Sequence, residues 1–295
     1  MRIPDAVVPA LLRLTQANKS FRTAEGARQA IQNQALRPAA YNPPKKLRTD
    51  VDISVRGHAG YPVYTVTPKR TIPTAGVVYI HGGAWLYEIR SQHWALIAQI
   101  AAEAGVAVTV PIYPLLPWGD ARVVNELVVQ LFSDLVDRYG DVRLAGDSAG
   151  GQIALSAAQV LRDRGVDHVR TALISPVLDL SLSNPGIPAV LPRDPWLGVD
   201  GLRALAEMWA AGLPVEDPRV SPLAGDMRGL GPMMVLSGTH DILNPDAHLL
   251  VDKSRAAGVT VTFIERVGGV HVFPLVPSRT GADARHRIVA ALRPS

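Results

Sequence analysis

The sequence predicts an α/β protein, a mostly parallel sheet of eight strands with helices packed on its faces. Three observations carry that reading. From about residue 50 onward, short β-branched apolar runs alternate with stretches of helical periodicity, as when strands are joined by helical crossovers. Most of the runs are continuously apolar, as strands covered on both faces require. A turn of the form G-x-S-x-G lies between one such run and the next helix, where it would lift a serine hydroxyl above the end of the sheet.

Taken in order, Val7, Val8, Leu11, Leu12 and Leu14 recur at helical spacing, and 24–36 reads as a second helix. Pro38 and the pair Pro43-Pro44 then end helical structure. Strands at 50–55 and 61–66, separated by Gly57 and Gly60, predict an antiparallel pair. Six more strands are expected at 76–80, 106–110, 142–145, 169–174, 233–236 and 259–264. Helices at 92–104, 120–139, 149–164, 245–257 and 281–292 fill the intervals. One segment, 183–214, breaks the alternation with five prolines, Trp196, Met208, Trp209 and a helix-like run over 200–211. A long excursion between two strands is commonly a functional loop or lid.

Composition narrows the function classes. The 295 residues are 47% hydrophobic and 19% charged, enough apolar material for a core and too much for a disordered chain. Thirty Lys and Arg against 26 Asp and Glu leave a net charge of +4. These charges are scattered, with Lys45, Lys46 and Arg48 the nearest thing to a cluster, whereas nucleic-acid binding calls for a basic stripe. Cysteine is absent, which removes disulfides, thiolate metal sites and a cysteine nucleophile. No apolar run reaches the roughly 20 residues needed to cross a bilayer, so stable membrane insertion is not expected. Residues 1–21 carry Asp5 and two prolines and lack the apolar stretch and cleavage site of a secretory signal. A cytoplasmic location is the expectation.

The strongest chemical signal is Gly146-Asp147-Ser148-Ala149-Gly150-Gly151. Small residues permit a sharp strand-to-helix turn, and the following helix aims its N-terminus at the site. The second signal is His81-Gly82-Gly83-Ala84-Trp85 at the end of a strand. Consecutive glycines let backbone amides approach a ligand closely, and ester hydrolysis needs such donors for the oxygen that becomes negative. Gly82, Gly83 and Ala149 are the candidate donors.

A serine hydroxyl needs a base, to be chosen among eight histidines. His58 lies in the early hairpin, His81 in the glycine turn, and His93 and His168 flank regular elements. His248 and His286 fall within helical runs, and His240 merely adjoins Asp241. His271 stands in the glycine-rich stretch Val267-Gly268-Gly269-Val270-His271, read as a loop after the last strand, where the chain order Ser…Asp…His puts the base. A carboxylate must then hold its tautomer. Asp241, at the end of the penultimate strand, is preferred over Asp246, which suits a helix N-terminus.

Together H-G-G-A-W, G-D-S-A-G-G, the run Asp217-Pro218-Arg219-Val220-Ser221-Pro222, G-T-H-D-I-L and the late His-Val-Phe resemble the hormone-sensitive-lipase group of α/β-hydrolases, whose bacterial branch is the family IV carboxylesterases. The resemblance implies the α/β-hydrolase fold with a helical cap. The catalytic core would be 49–183 and 213–295, and the cap 1–48 and 184–212. It implies Ser148 as nucleophile, His271 as base and Asp241 as its acid, with Gly82, Gly83 and Ala149 as the oxyanion hole. Ala84 departs from the third glycine of many relatives, and its methyl would narrow the space beside the acyl group. Trp85, Trp196, Met208 and Trp209 become candidates for the acyl pocket.

The activity so implied is hydrolysis of small carboxylic esters, of short to medium acyl length, without metal or organic cofactor. His271 must be neutral to act, so activity should fall as pH drops below its pKa. An amidase or formamidase and a transacylase would use the same residues. A non-catalytic binder of the plant gibberellin-receptor kind would have lost the histidine. The edge of the last strand could pair two copies into a homodimer.

Overall fold

In the computed structural model, which describes residues 3–294, the strands are β1 (Val51–His58), β2 (Tyr61–Pro68), β3 (Ala75–Ile80), β4 (Ala107–Pro111), β5 (Asp141–Asp147), β6 (Arg170–Ile174), β7 (Met233–His240) and β8 (Val261–Val270). The helices are α1 (Val8–Leu14), α2 (Ala24–Leu36), α3 (Ser91–Ala104), α4 (Ala121–Tyr139), α5 (Ala149–Asp163), the single turn α6 (Ile187–Val190), α7 (Val199–Ala210), α8 (Asn244–Ala256) and α9 (Arg279–Ala291). The strands form one sheet in the order β1-β2-β4-β3-β5-β6-β7-β8. β2 is antiparallel to both β1 and β4, and the rest of the sheet is parallel. This is the architecture expected from the motifs: an eight-stranded, mostly parallel sheet flanked by helices.

Two apolar layers hold the sheet. Side chains alternate across a strand, so in β3 Val78 and Ile80 enter one layer while Val77 and Tyr79 enter the other. The first layer is completed by Val124, Val128 and Leu131 of α4, Ile153 and Leu155 of α5 and Leu250 of α8. The second takes Trp94, Ile97 and Ile100 of α3 and Ile288 of α9. Asp120 caps α4 by accepting the amides of Arg122 and Val123, and Thr23 and Ser278 do the same for α2 and α9, satisfying donors a helix start leaves free.

The topology positions the site. From β3 the chain first moves to β4 on one side, then returns past β3 to β5 on the other. Such a switch point opens a crevice at the strands' C-terminal ends. Ile80 pairs with Gly146, so His81-Gly82 and Asp147-Ser148 emerge side by side. α5 then starts against the end of β3, so close that a Cβ at Gly150 would fall on the carbonyl oxygens of Ile80 and His81. Over this end of the sheet lies a helical layer in which α2 packs on α7. Gly201 donates its amide to the Phe21 carbonyl (3.0 Å). Phe21 in turn meets the ring of Tyr87, on the loop after β3, edge to face.

Three details differ from expectation. β1 continues through Gly57 to His58, so only Ala59-Gly60 make the turn, both at positive φ. β8 runs on to Val270, so Gly268 and Gly269 lie within a strand and not in a loop after it. They fall in a register irregularity between the Gly238–Arg266 and His240–Val270 pairs, where the Gly268 amide donates to Thr239 Oγ1 (2.8 Å). The excursion 183–214 carries two helices, α6 and α7, the second one residue ahead of the expected 200–211. Among the described residues no helix is long and apolar enough to cross a membrane.

The contact of α5 with β3 can be tested by substitution. Gly150→Ala adds a methyl against backbone that has no room to retreat, and should destabilise the protein by about 1–3 kcal/mol. Gly57→Ala, where a Cβ meets nothing within 4 Å, should stay within about 0.5 kcal/mol of the parent. Urea unfolding of both variants measures the difference.

Candidate active site

Ser148 occupies the N-cap of α5, a position where serine ordinarily turns its hydroxyl onto the helix's own amides. Here its backbone stands at φ 54°, ψ −119° and the side chain makes no capping bond. Three main-chain bonds enforce that conformation: its amide donates to Ile174 (2.8 Å), and its carbonyl accepts from Gln152 and Val177 (both 3.1 Å). The hydroxyl is left to meet Nε2 of His271 at 2.9 Å.

The other face of that imidazole, Nδ1, lies 2.8 Å from Oδ2 of Asp241. A carboxylate only accepts, so the network assigns the proton to Nδ1 and leaves the Nε2 lone pair facing the Ser148 hydroxyl. Asp241 follows β7 directly and is fixed by accepting the Leu243 amide on Oδ1 (3.0 Å). His271 follows β8, and the next amide, Val272, donates to Ser175 Oγ (3.0 Å). Burial alone would depress the imidazole, but the charge and hydrogen bond of Asp241, with the carboxylates of Asp194 and Asp147, hold it above its ordinary 6.5. Asp246, the alternative acid, lies elsewhere: its Oδ1 accepts from Asn184 (2.7 Å), and burial pushes it up to about 6.

Two partners escaped sequence reasoning. Asp194, in the proline-rich excursion, accepts the amides of Trp196 and Leu197 on Oδ1 and of Ile242 on Oδ2, all within 2.9 Å. Burial, then the neighbouring Asp241 charge, pushes it up to about 6. His93 bonds Asp147 through Nε2 (3.2 Å) while its Nδ1 accepts the Arg90 amide. Nδ1 therefore accepts, and Nε2 is the nitrogen that donates to Asp147. No local motif marks either residue, because each acts across 48 residues or more of sequence.

Asp147 joins the two glycine turns. Its Oδ1 accepts from the Tyr79 hydroxyl (2.8 Å) and the Gly82 amide (3.1 Å). Burial would raise this carboxyl, but His93 and Tyr79 outweigh it and keep it below its ordinary value. The bond corrects one expectation: the Gly82 N–H is committed to Asp147 and not offered to a substrate. Among the described residues the amides of Gly83, Ala84 and Ala149 meet no protein acceptor. Gly83 and Ala84 line the cavity that holds Ser148. His81 is fully buried, with Nδ1 against the Gly82 carbonyl (2.7 Å) and Tyr113 stacked on its ring. Burial pushes it down to about 4, so it is neutral and structural.

The cavity has a volume of about 630 Å³, ordinary for a small-molecule site. Its wall includes Leu11, Leu12, Phe21, Trp196, Leu202 and Leu275, with Ser148 and His271 exposed to it. Trp196 stands edge-on to the His271 ring at 5.8 Å. The other aromatic and methionine candidates are elsewhere. Trp85 and Trp209 are fully buried, stacked 5.7 Å apart, and both donate to Oε1 of Gln152 (3.1 and 3.2 Å). Met208 is on the outer side of α7, 42% exposed. Among the described residues no group of three or more His, Asp or Glu is placed to hold a metal ion.

A family model described as the α/β-hydrolase fold matches residues 77–275. A triacylglycerol lipase of Mycobacterium tuberculosis is 34% identical over 216 residues, which are 72% of this chain but 45% of that lipase. An acetyl-hydrolase of Streptomyces hygroscopicus is 32% identical over 209 residues, 68% of this chain and 70% of that protein. Among solved structures, a candidate esterase from Staphylococcus aureus superposes with a TM-score of 0.88 at 26% identity, covering 95% of this chain and 96% of its own. An esterase of the bacterial hormone-sensitive-lipase family shares the fold with a TM-score of 0.83 at 24% identity, covering 98% and 97%.

Gln152 also donates to the Arg219 carbonyl (2.7 Å) and to Ser156, so one side chain satisfies two indoles and a backbone oxygen. Gln152→Leu leaves those buried groups unpaired, at about 1–3 kcal/mol each before relaxation. Urea unfolding followed by tryptophan fluorescence should show a midpoint lowered by at least 2 kcal/mol equivalent, roughly two such groups.

Proposed function

This chain belongs to the α/β-hydrolase family, and from that premise we propose that it hydrolyses small carboxylic esters through Ser148, His271 and Asp241. The observation that carries the reading is the unbroken relay from Oγ to imidazole to carboxylate, at 2.9 and 2.8 Å. Ser148 Oγ attacks the ester carbonyl carbon while His271 Nε2 takes its proton, and the carbonyl oxygen becomes the oxyanion. The amides of Gly83 and Ala84 on the glycine turn and of Ala149 after the serine, free of protein acceptors among the described residues, receive that oxygen, aided by the positive N-terminal end of α5. Gly82 acts one step back, by orienting Asp147.

Collapse of the intermediate breaks the bond to the alcohol, which leaves with the proton from His271 and leaves Ser148 acylated. A water then attacks the acyl carbon, His271 takes its proton, and the acid departs as the proton returns to Ser148. The imidazolium formed twice in each cycle faces Asp241, with Asp194 and Asp147 adding negative charge. Within this reading, residues 1–48 and 184–212 form a cap over the core of 49–183 and 213–295. The largely apolar wall suits short to medium acyl chains, with Trp196 the wall's aromatic neighbour of the base. The bacterial hormone-sensitive-lipase-like carboxylesterases are the branch these features fit. A cytoplasmic location and pairing of two copies through the free edge of β8 belong to the same reading.

Turnover of p-nitrophenyl esters of increasing acyl length tests it. Activity should peak at short to medium chains and fall by about 10⁴-fold or more in Ser148→Ala. Asp241→Asn should lose about 10⁴-fold in kcat while keeping the fold, because the imidazole then adopts the wrong tautomer. Absence of turnover in the folded parent protein overturns the reading.

The pH profile gives a separate check. His271 works only when neutral, and its partners hold its pKa above 6.5, so kcat/KM should fall tenfold per pH unit on the acid side of that value. A profile flat down to pH 5 contradicts His271 as the base.

A further inference from the structure

The hydrolytic steps do not use every polar group of the cavity. Glu88 lies in the loop after β3 and lines the same cavity as Ser148 and His271. Its Oε2 is sealed from solvent and meets no hydrogen-bond donor. Among the described residues, neither a hydrogen bond nor an ion pair reaches its carboxylate. Arg90, which also lines the cavity, acts on it only through space. A buried carboxylate oxygen without a partner is expensive, and native structures keep few such groups. Replacing Glu88 by an apolar residue would remove that cost. Burial pushes the carboxyl up to about 7, against the pull of Arg90, so near neutrality it is poised between its acceptor-only and its protonated form.

We propose that Glu88 is a specificity-determining residue that receives a hydrogen-bond donor carried by the substrate, selecting esters with an ammonium or hydroxyl group over plain alkyl esters. Glu88 shares the cavity wall with Leu11, Leu12, Phe21 and Trp196 and with the polar Arg90, Gln92 and His93, and an alkyl substrate brings no donor to a carboxylate whose Oε2 is already unpaired. A donor at the right reach satisfies it. An ammonium does so best, because it holds the carboxylate ionised and forms a charge-assisted bond. This rests on the ester-hydrolase reading, whose substrate class it names.

The experiment compares ethyl esters of alkanoic, ω-hydroxy and ω-amino acids of four to six carbons, and butyrate esters of the matching amino alcohols, at pH 8. In the parent protein at least one amino ester should exceed its alkyl counterpart in kcat/KM by about tenfold, a charge-assisted bond's worth. Glu88→Leu should erase that preference and improve the alkyl esters, with a urea midpoint no lower than the parent's. Glu88→Gln, which keeps an accepting oxygen without the charge, should retain the hydroxy preference and lose the amino one. If Glu88→Leu changes every ester by the same factor, the proposal is overturned.

Binding separates this outcome from failure of the hydrolytic reading. Calorimetry of the intact esters with Ser148→Ala, alone and combined with Glu88→Leu, needs no turnover. Preference for the amino esters that depends on Glu88 supports the subsite even if the parent hydrolyses nothing. Equal binding of alkyl and amino esters sinks it even if the parent is an active esterase.

Discussion

The close approach of α5 to the end of β3 is the constraint on which the site depends. It forces small residues at both turns, because a Cβ at Gly150 would strike the Ile80 carbonyl and one at Gly82 would strike Asp147. In return, Ser148 is held at positive φ by three backbone bonds, and its hydroxyl is denied the capping role it would otherwise take. Backbone strain of this kind persists only where the surroundings over-determine it. Here the surroundings include the fully buried side chain of Asp147, which binds β3 through Tyr79, the glycine turn through Gly82 and α3 through His93. One carboxylate thus ties three elements to the serine's own peptide.

A second set of buried polar groups fixes the far side of α5. Gln152, Ser156 and Gln159 lie along one face of the helix, and they bond the carbonyls of Arg219, Pro218 and Pro222 respectively. Proline removes amides from that segment, so what it presents to the helix is mainly carbonyl oxygen, and the helix answers with donors. The motif Asp217–Pro222 therefore packs as an acceptor strip against the helix that carries Ser148. Trp85 and Trp209 close the same network through Gln152. Their indoles brace the glycine turn against α7 instead of lining the cavity, which is why their aromatic character misled an assignment to the acyl pocket.

Much of the fold was legible because its signals are local. Continuous apolar runs mark β3 to β6, and glycine turns mark the two strand ends where the serine and its donors meet. The meeting of Ser148, His271 and Asp241 was legible because chain order and strand ends constrain it. What escaped depends on distance in sequence. Nothing near Gly82 announces that its amide is taken by Asp147, 65 residues away. Gly268 and Gly269 are carried within β8 by the pairs on either side, Arg266 with Gly238 and Val270 with His240, and their loop preference shows only as an irregularity of the register. Glu88 belongs to no motif, and its place on the wall of the cavity follows from the fold alone.

Asp194 shows how the excursion between β6 and β7 reaches the chemistry. Its carboxylate accepts two amides of its own segment and the Ile242 amide, the residue after Asp241. It therefore clamps the excursion to the loop that holds the acid. The two carboxylates repel, which is one reason Asp194 sits high, at about 6. Three amide donors offset part of that repulsion. The remainder is relieved when His271 gains a proton, since the imidazolium interacts favourably with both carboxylates. A pair of like charges, unfavourable while the base is neutral, becomes favourable when the base is charged. In the hydrolysis we propose, electrostatic preorganisation of that form stabilises the intermediate more than the resting state, and it makes the position of the excursion part of the strength of the proposed base.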